Sequence, residues 1–523
     1  MLRCPSFFPN SLLLAIILGG CTMGPDFQRP QAPTANGYTP QEKLEASAAT
    51  PGLAGESQHF DVQKDLPFDW WTMFHSKDIN DLIELAFKNN PTIPAAQAAL
   101  AQAQSMTVAQ EGFFFPTVGV SYMPSRNKLA GNMGGNSPGI QGNGQVIQTY
   151  SNPAGPIYNG PAYYNFHTAQ LMVGYTPDVF GTNRRQVESM KAQEEQQRYQ
   201  LEATYITLAS NVVAAALQEA SLRAQLEATH RIIEANREML TILRDQARLG
   251  YAMDIDVANQ ETALAQAEQS LPPLEKAFEQ TRDLLRALAG QLPNQDIPQK
   301  FELASLHLPS SLPLSLPSQL VDQRPDVRMA EEQLHYASAQ VGVAVSNRLP
   351  QFTIFGFIGG EASTFNQMFH NGAGFFSLIG DVSQTLFDGG TLSAHQTAAE
   401  AALREAAAQY RTTVIGAFQN VADTLHAIEA DARTLKAASE TERAARRAYD
   451  LTRQQREVGY VNAQAELTAL INFQQAELAL VQARVNRFGD TAALYQALGG
   501  GWWKRKEALS ENTPSSPPQP STP

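Results

Sequence analysis

The chain has 523 residues with a formal net charge of −13, a sequence pI near 5.3 and a mean hydropathy of −0.28. That acidity disfavours a nucleic-acid partner, which needs a concentrated basic surface. The hydropathy excludes a bundle of membrane helices, and the only apolar run, residues 11 to 20, is too short to span a bilayer.

Residues 1–20 read as a signal peptide, with Arg3, an apolar core from Leu12 to Leu18 and small residues before the cut. Leu18-Gly19-Gly20-Cys21 resembles the lipobox of bacterial lipoproteins. That resemblance implies a lipid on the sulfur of Cys21, and Thr22 rather than Asp after it implies the outer membrane. The alternative is an ordinary cleaved signal followed by an incidental cysteine. With Cys4 removed, the mature chain keeps one cysteine and no intrachain disulfide.

Residues 21–66, rich in Pro, Ala, Gln and Thr, are expected to form a tether with little structure of its own. Repeat 1 spans 67–290. Ordered structure begins near Trp70-Trp71, apolar residues from Ile79 to Phe87 fall at helical spacing, and a second helix starts at Pro94 and ends near Glu111-Gly112. Strands follow at about 113–123 and 166–177, separated by a loop crowded with Gly, Asn, Pro and Ser. A helical hairpin is predicted over 182–289, turning at Gly250-Tyr251, with Pro272-Pro273 expected to break or kink its returning arm.

After a linker at 291–317, repeat 2 spans 318–500: a helix, strands at about 351–361 and 374–386, and a hairpin over 391–498 turning at Gly459-Tyr460. The copies share landmarks. Asn90-Pro91 recurs as Arg324-Pro325, Pro116 as Pro350, and Val179-Phe180-Gly181 as Leu386-Phe387-Asp388. Seven-residue spacing of Tyr205, Val212, Leu226, Ile233 and Leu240, interrupted by Glu219, and of Val414, Val421, Ile428 and Leu435, predicts coiled-coil packing. At ~1.5 Å per residue the outgoing helix reaches on the order of 100 Å, beyond a globular domain, so it must project from the membrane. Residues 501–523 are expected to be a disordered tail.

Each strand is long enough to cross a bilayer at a tilt. Four per chain cannot close a barrel, and an open edge in lipid leaves backbone groups unsatisfied at several kcal/mol each. Subunits must share one barrel. Two chains would give eight strands around a filled interior; three would give twelve, wide enough for water.

These features resemble the outer-membrane efflux factors of the TolC type, in particular the NodT-like lipoprotein subgroup serving resistance-nodulation-division pumps. The marks are the run from Cys21 to Pro30, Trp70-Trp71 with Phe74, Asp178 to Gly181 leading to Arg184-Arg185, Gln323 to Arg328, and Leu386 to Gly390. The resemblance implies a mixed fold: four transmembrane β-strands per chain in a homotrimeric twelve-stranded barrel, continued by a long α-helical coiled-coil tunnel, with two internal repeats. It also implies a periplasmic adaptor and an inner-membrane efflux transporter as partners, outer-membrane lipid around the barrel, and passive conduction of small molecules.

In that family, acidic residues just past the hairpin turns narrow the periplasmic entrance. Asp256 with Val257 matches in the first copy and Asp254 lies close by; the second copy departs, offering Ala465 and then Glu466. Arg248, Arg453 and Arg456 are placed to latch neighbouring hairpins. The bland reading of all these groups is solvated charge at exposed helix ends.

No cofactor or catalytic centre is expected. The nine histidines are scattered without His-Glu-x-x-His spacing, and no phosphate-binding glycine loop or nucleophile elbow occurs. Trp70-Trp71 and Trp502-Trp503 read as packing. Two other readings remain open: a channel for type I protein secretion, and a non-conducting coiled-coil lipoprotein, for which the strand pairs would have no use.

Overall fold

The computed structural model describes residues 22–35, 37–40, 46–62, 64–128 and 163–505. The expectations for the signal peptide, for Cys21, for most of the loop at 124–163 and for the chain past Arg505 lie outside the described residues. The helices are α1 Lys77–Asn89, α2 Thr92–Glu111, α3 Thr182–Arg248, α4 Asp254–Leu288, α5 Pro317–Gln323, α6 Pro325–Ser346, α7 Thr391–Glu457 and α8 Ala463–Ala497. The strands are β1 His59–Asp61, β2 Thr117–Lys128, β3 Tyr163–Tyr175, β4 Ser311–Pro313, β5 Gln351–Ala362 and β6 Gly374–Ser383.

The duplication is carried into the element lengths. Both outgoing helices, α3 and α7, have 67 residues, and both returning helices, α4 and α8, have 35. The residue before each repeated proline has the same task. Asn90 Nδ2 donates to Leu288 O at 2.8 Å, and Arg324 Nη1 donates to Ala497 O at 3.0 Å. Each thus satisfies a carbonyl that the end of a returning helix leaves without an intrahelical partner.

The chain divides into two compact units. The first unit, residues up to Gln28 with Ala103–Gln193 and Leu334–Ala406, contains an antiparallel sheet in the order β2-β3-β5-β6. β2 begins at Thr117, not at 113: Gly112–Phe114 form a 3-10 turn closed by Phe115 N donating to Gly112 O at 3.1 Å, and Pro116 has no N–H to give a ladder. β3 ends at Tyr175 rather than 177, before another proline. β6 ends at Ser383 rather than 386 because its partner β5 starts only at Gln351, after Pro350.

The second unit, Arg29–Gln102, Glu194–Gln333 and Ala407 onward, holds the main apolar core. Trp70 stacks on Tyr495 at 5.4 Å and Phe74 meets Phe488 edge-on at 6.2 Å, with Trp70 and Phe74 wholly buried. The tryptophan pairs are therefore packing residues. The seven-residue seams are buried at Val212, Ile233, Val421 and Ile428 among others, with Leu226 half-buried. Glu219, which interrupts the first seam, is fully buried and paired with Arg223, while Arg282 Nη1 lies 3.8 Å from the same carboxylate. Burial pushes its carboxyl upward, against the pull of Arg223.

Three expectations need correction. The first concerns the break expected in the returning arm: α4 is continuous through Pro272 and Pro273 and does not end there. Both are on the exposed side, where water can bond the carbonyls of Glu268 and Gln269 that lose an intrahelical partner. The tether is ordered over its latter part: β1 pairs in parallel with β4 of the linker, and Ser47, Ala54, Gln58 and Leu66 are buried. The tail is not disordered from its first residue, since Trp502–Lys504 form a 3-10 turn and Arg505 is 5% exposed. Its guanidinium donates to Glu202 at 3.1 and 2.6 Å.

Candidate functional site

Two regions can serve a conduit: the sheet in the first unit and the hairpin turns in the second. In the sheet, Thr117 pairs with Gly174 and Lys128 with Tyr163 across β2 and β3. Tyr175 pairs with Ile354 across β3 and β5, and Gln351 with Ser383 across β5 and β6. The outer edges of β2 and β6 have no strand neighbour among the described residues. Large apolar side chains are exposed along them: Val120 at 80%, Phe376 at 84% and Leu378 at 77%. An apolar strand with a free edge is tolerated neither in water nor in lipid unless another strand covers it.

Each junction from strand to outgoing helix is fixed by an aspartate. Asp178 accepts from the backbone N–H of Asn183 and Arg184, each at 3.0 Å. Asp388 accepts from Leu392 N at 2.7 Å and Gly390 N at 2.9 Å, bonds that hold its carboxyl below the usual range, Leu392 most strongly. The chain just after Cys21 docks at the first of these junctions. Met23 N donates to Phe180 O at 3.2 Å, and Arg185 donates to Met23 O at 3.0 Å and to Asp26 at 2.7 Å.

The two hairpin turns are built alike. Gly250 (φ +79°) and Gly459 (φ +80°) take the left-handed conformation that closes each outgoing helix. Tyr251 N then reaches back to Gln246 O and Tyr460 N to Gln455 O, both at 2.8 Å. Both tyrosines are more than 80% exposed.

The expected gate residues divide between the hairpins. Asp254 and Asp256 lie in the first turn of α4, where a carboxylate suits the helix dipole. Asp256 Oδ2 accepts from Met253 N at 3.1 Å, capping its own helix. In α8 the cap is reversed: Asn462 Oδ1 accepts from Ala465 N at 3.0 Å, so no acid is required where the second copy has Ala465. Glu466 is 2% exposed and paired with Arg456 across the α7–α8 hairpin. Its carboxyl is raised by burial, with Arg456 and Arg453 opposing. Arg248 pairs with Asp245 on its own helix, and Arg453 lies 3.6 Å from Glu457. Within the chain these arginines are held inside their own hairpins, and between the two returning arms Asn259 Nδ2 donates to Gln464 at 3.4 Å.

A buried polar cluster escaped the reading of the sequence. Arg487, 1% exposed, donates to Ile428 O at 3.1 Å, Glu56 O at 3.0 Å and Ser47 Oγ at 3.3 Å. It thereby fastens the N-terminal segment to α7 and α8. Beside it, burial and the neighbouring Asp431 push Asp490 up to about 7. The signal was present in the pattern: Leu480, Ala483, Arg487, Thr491 and Leu494 form one buried helical stripe, and two members are polar. Among the described residues, no group of three or more His, Cys, Asp or Glu side chains is arranged to hold a metal ion.

The sequence profile described as Outer membrane efflux protein matches residues 82–291 and 316–500. The pyoverdine export outer membrane protein OpmQ of Pseudomonas putida is 28% identical over 83% of this chain and 88% of its own. The toluene efflux pump outer membrane protein TtgC of the same species is 25% identical over 94% and 95%. Among solved structures, the outer-membrane channel OprN superposes with a TM-score of 0.77 at 24% identity, covering 92% of this chain and all of the other. The Campylobacter jejuni CmeC outer membrane channel gives 0.80 at 21% identity, covering 94% and 97%.

Proposed function

Because the chain belongs to the outer membrane efflux protein family, we propose that it is the outer-membrane channel of a tripartite efflux pump. It conducts small molecules passively from a periplasmic adaptor and an inner-membrane transporter to the exterior. The observation that carries this reading is the four-stranded sheet whose two edges have no strand neighbour among the described residues, attached in each repeat to a 67-residue helix and its returning partner. Three copies give twelve strands and a water-filled lumen. The helices supply a tunnel wall. A non-conducting tether would need the helices but not the sheet.

Cargo selection belongs to the transporter, because a passive tunnel does not choose. Small-molecule export is favoured over protein secretion by relatives named for pyoverdine and toluene. We also assign Cys21 as the lipidated first residue. In support, Thr22 packs against Gly181 and Met23 bonds Phe180, so the lipid would enter the leaflet beside the end of β3. An acylated N-terminal cysteine in the mass spectrum of the mature protein is the expected result; an unmodified start elsewhere overturns it.

The channel itself is tested in planar bilayers. Purified protein should run as a heat-sensitive trimer and give discrete conductance steps. A trimer that never conducts, with or without its adaptor, refutes the proposal.

A further inference from the structure

The two halves of the chain are related by fixed displacements, and these specify how one copy meets the next. Adding 234 positions carries β2, Thr117–Lys128, onto β5, Gln351–Ala362. Thr117 pairs with Gly174 and Gln351 with Ser383, so β6 is the counterpart of β3 at a displacement of 209. The same 209 carries α3 onto α7 and α4 onto α8 at both ends. Structurally, then, Phe387 answers to Asp178 and not to Phe180, two places from where residue identity alone aligns the junctions.

Inside the chain, the halves join where β3 lies antiparallel to β5, with Val173 opposite Gly356 and Gly174 opposite Phe355. The counterpart of that junction is β6 against β2, the two strands with uncovered edges. We infer that the contact between subunits repeats the junction within the chain residue for residue: Val382 lies opposite Tyr122 of the partner subunit, and Ser383 opposite Ser121 of the partner subunit. The inference rests on the trimeric-barrel reading and deepens it by fixing the register. A one-residue slip would turn every side chain of β6 to the wrong face of the sheet.

A second contact, between helices, gives the same answer. Within the first unit, Gln340 Nε2 of α6 donates to Ser189 Oγ of α3 at 3.1 Å, and Gly342 lies against the Arg185 stem, where a built Cβ would stand 2.8 Å from Cγ. The displacements send these pairs to Met106 with Ala398 and to Val108 with Ala394, on α2 and α7. Met106 is 55% and Val108 66% exposed, and both alanines are exposed too. A polar contact inside the chain thus becomes an apolar one between chains. It covers two large side chains that a helix face in water would not select.

Paired cysteines in the full-length chain test the register. Tyr122→Cys with Val382→Cys, and separately Ser121→Cys with Ser383→Cys, oxidised with copper phenanthroline, should give reducible dimers and trimers on a denaturing gel. Within one chain β2 and β6 are separated by two strands, roughly 14 Å at ~4.8 Å per step, so any link joins two copies. Val120→Cys or Pro124→Cys combined with Val382→Cys should stay monomeric, because diagonal neighbours ~7 to 8 Å apart exceed disulfide reach. Linking of a shifted pair, with neither in-register pair linking, overturns the register while leaving the trimer intact. A trimer on a mild gel in which no pair links places the interface elsewhere and also overturns it. If the parent forms no trimer, the proposed function fails with it.

Discussion

Arg505 and Glu202 offer the sharpest test of how the turn at Trp502–Lys504 is held. They are 5% and 1% exposed, joined by two hydrogen bonds of 3.1 and 2.6 Å, and the guanidinium lies 4.4 Å from the centre of the Tyr205 ring. Replacing Arg505 by Met keeps most of the stem but takes from the buried Glu202 carboxylate the guanidinium that gives it two hydrogen bonds, leaving it the more distant charge of Arg198. Removing one partner of such a pair costs about 3 to 5 kcal/mol, whereas replacing both by apolar side chains of similar volume is close to neutral. Arg505→Met is therefore expected to lower the local opening free energy of residues 199–206 and 501–505 by ~3 kcal/mol, about a hundredfold faster amide exchange where opening limits it. Glu202→Met with Arg505→Met should recover most of that loss. The assay is hydrogen exchange by mass spectrometry on trimers in detergent. If Arg505→Met exchanges like the parent, or if the double variant is as labile as the single one, the ion pair is not what holds the C-terminal turn.

The Asp490 carboxyl titrates near 7 in the folded chain because burial and Asp431 favour its protonated form. It binds a proton in the native state that the unfolded chain releases near pH ~4. Stability should therefore fall as pH rises from about 4 to about 7 and level off above, by ~1 to 2 kcal/mol once partial exposure is allowed for. Asp490→Asn should flatten that slope; an unaltered slope in urea or thermal dissociation curves counts against it. At the hairpin turns, Gly250→Ala and Gly459→Ala meet no atom within 4 Å, so each should cost only the left-handed strain of ~1 to 2 kcal/mol, with Asn costing less. An effect beyond that, measured by exchange at the turn, would mean that the turn packs against something. Glu466→Ala leaves Arg456 with a buried charge and should loosen the α7–α8 end, raising single-channel conductance. Asp254→Ala with Asp256→Ala should instead change cation selectivity, and parental conductance and selectivity in both variants would exclude these residues from the entrance.

The sequence by itself determined the architecture because the signals were local and were repeated. Apolar residues at seven-residue spacing, glycine-tyrosine turns and prolines at strand starts each act within a few residues, and two copies of the pattern checked one another. The same locality set the limit. Pro272-Pro273 looked like a break because only the lost hydrogen bonds are visible in the chain; exposure of that side of α4, which lets water replace them, is a property of packing. Residues 46–62 looked unstructured because their composition is polar and rich in small residues, and residues 501–505 because they open directly onto a Ser/Pro-rich tail. They are held instead by partners hundreds of positions away, Arg487 for Ser47 and Glu56 and Glu202 for Arg505. The gate candidates show the division most plainly. Both hairpins announced an acid near the turn, but only the tertiary structure decided that Glu466 is buried on Arg456 while Asp256 caps its own helix. A carboxylate's role depends on which charges and N–H groups come within a few ångströms, and that distance is set by how helices pack, not by their order in the chain.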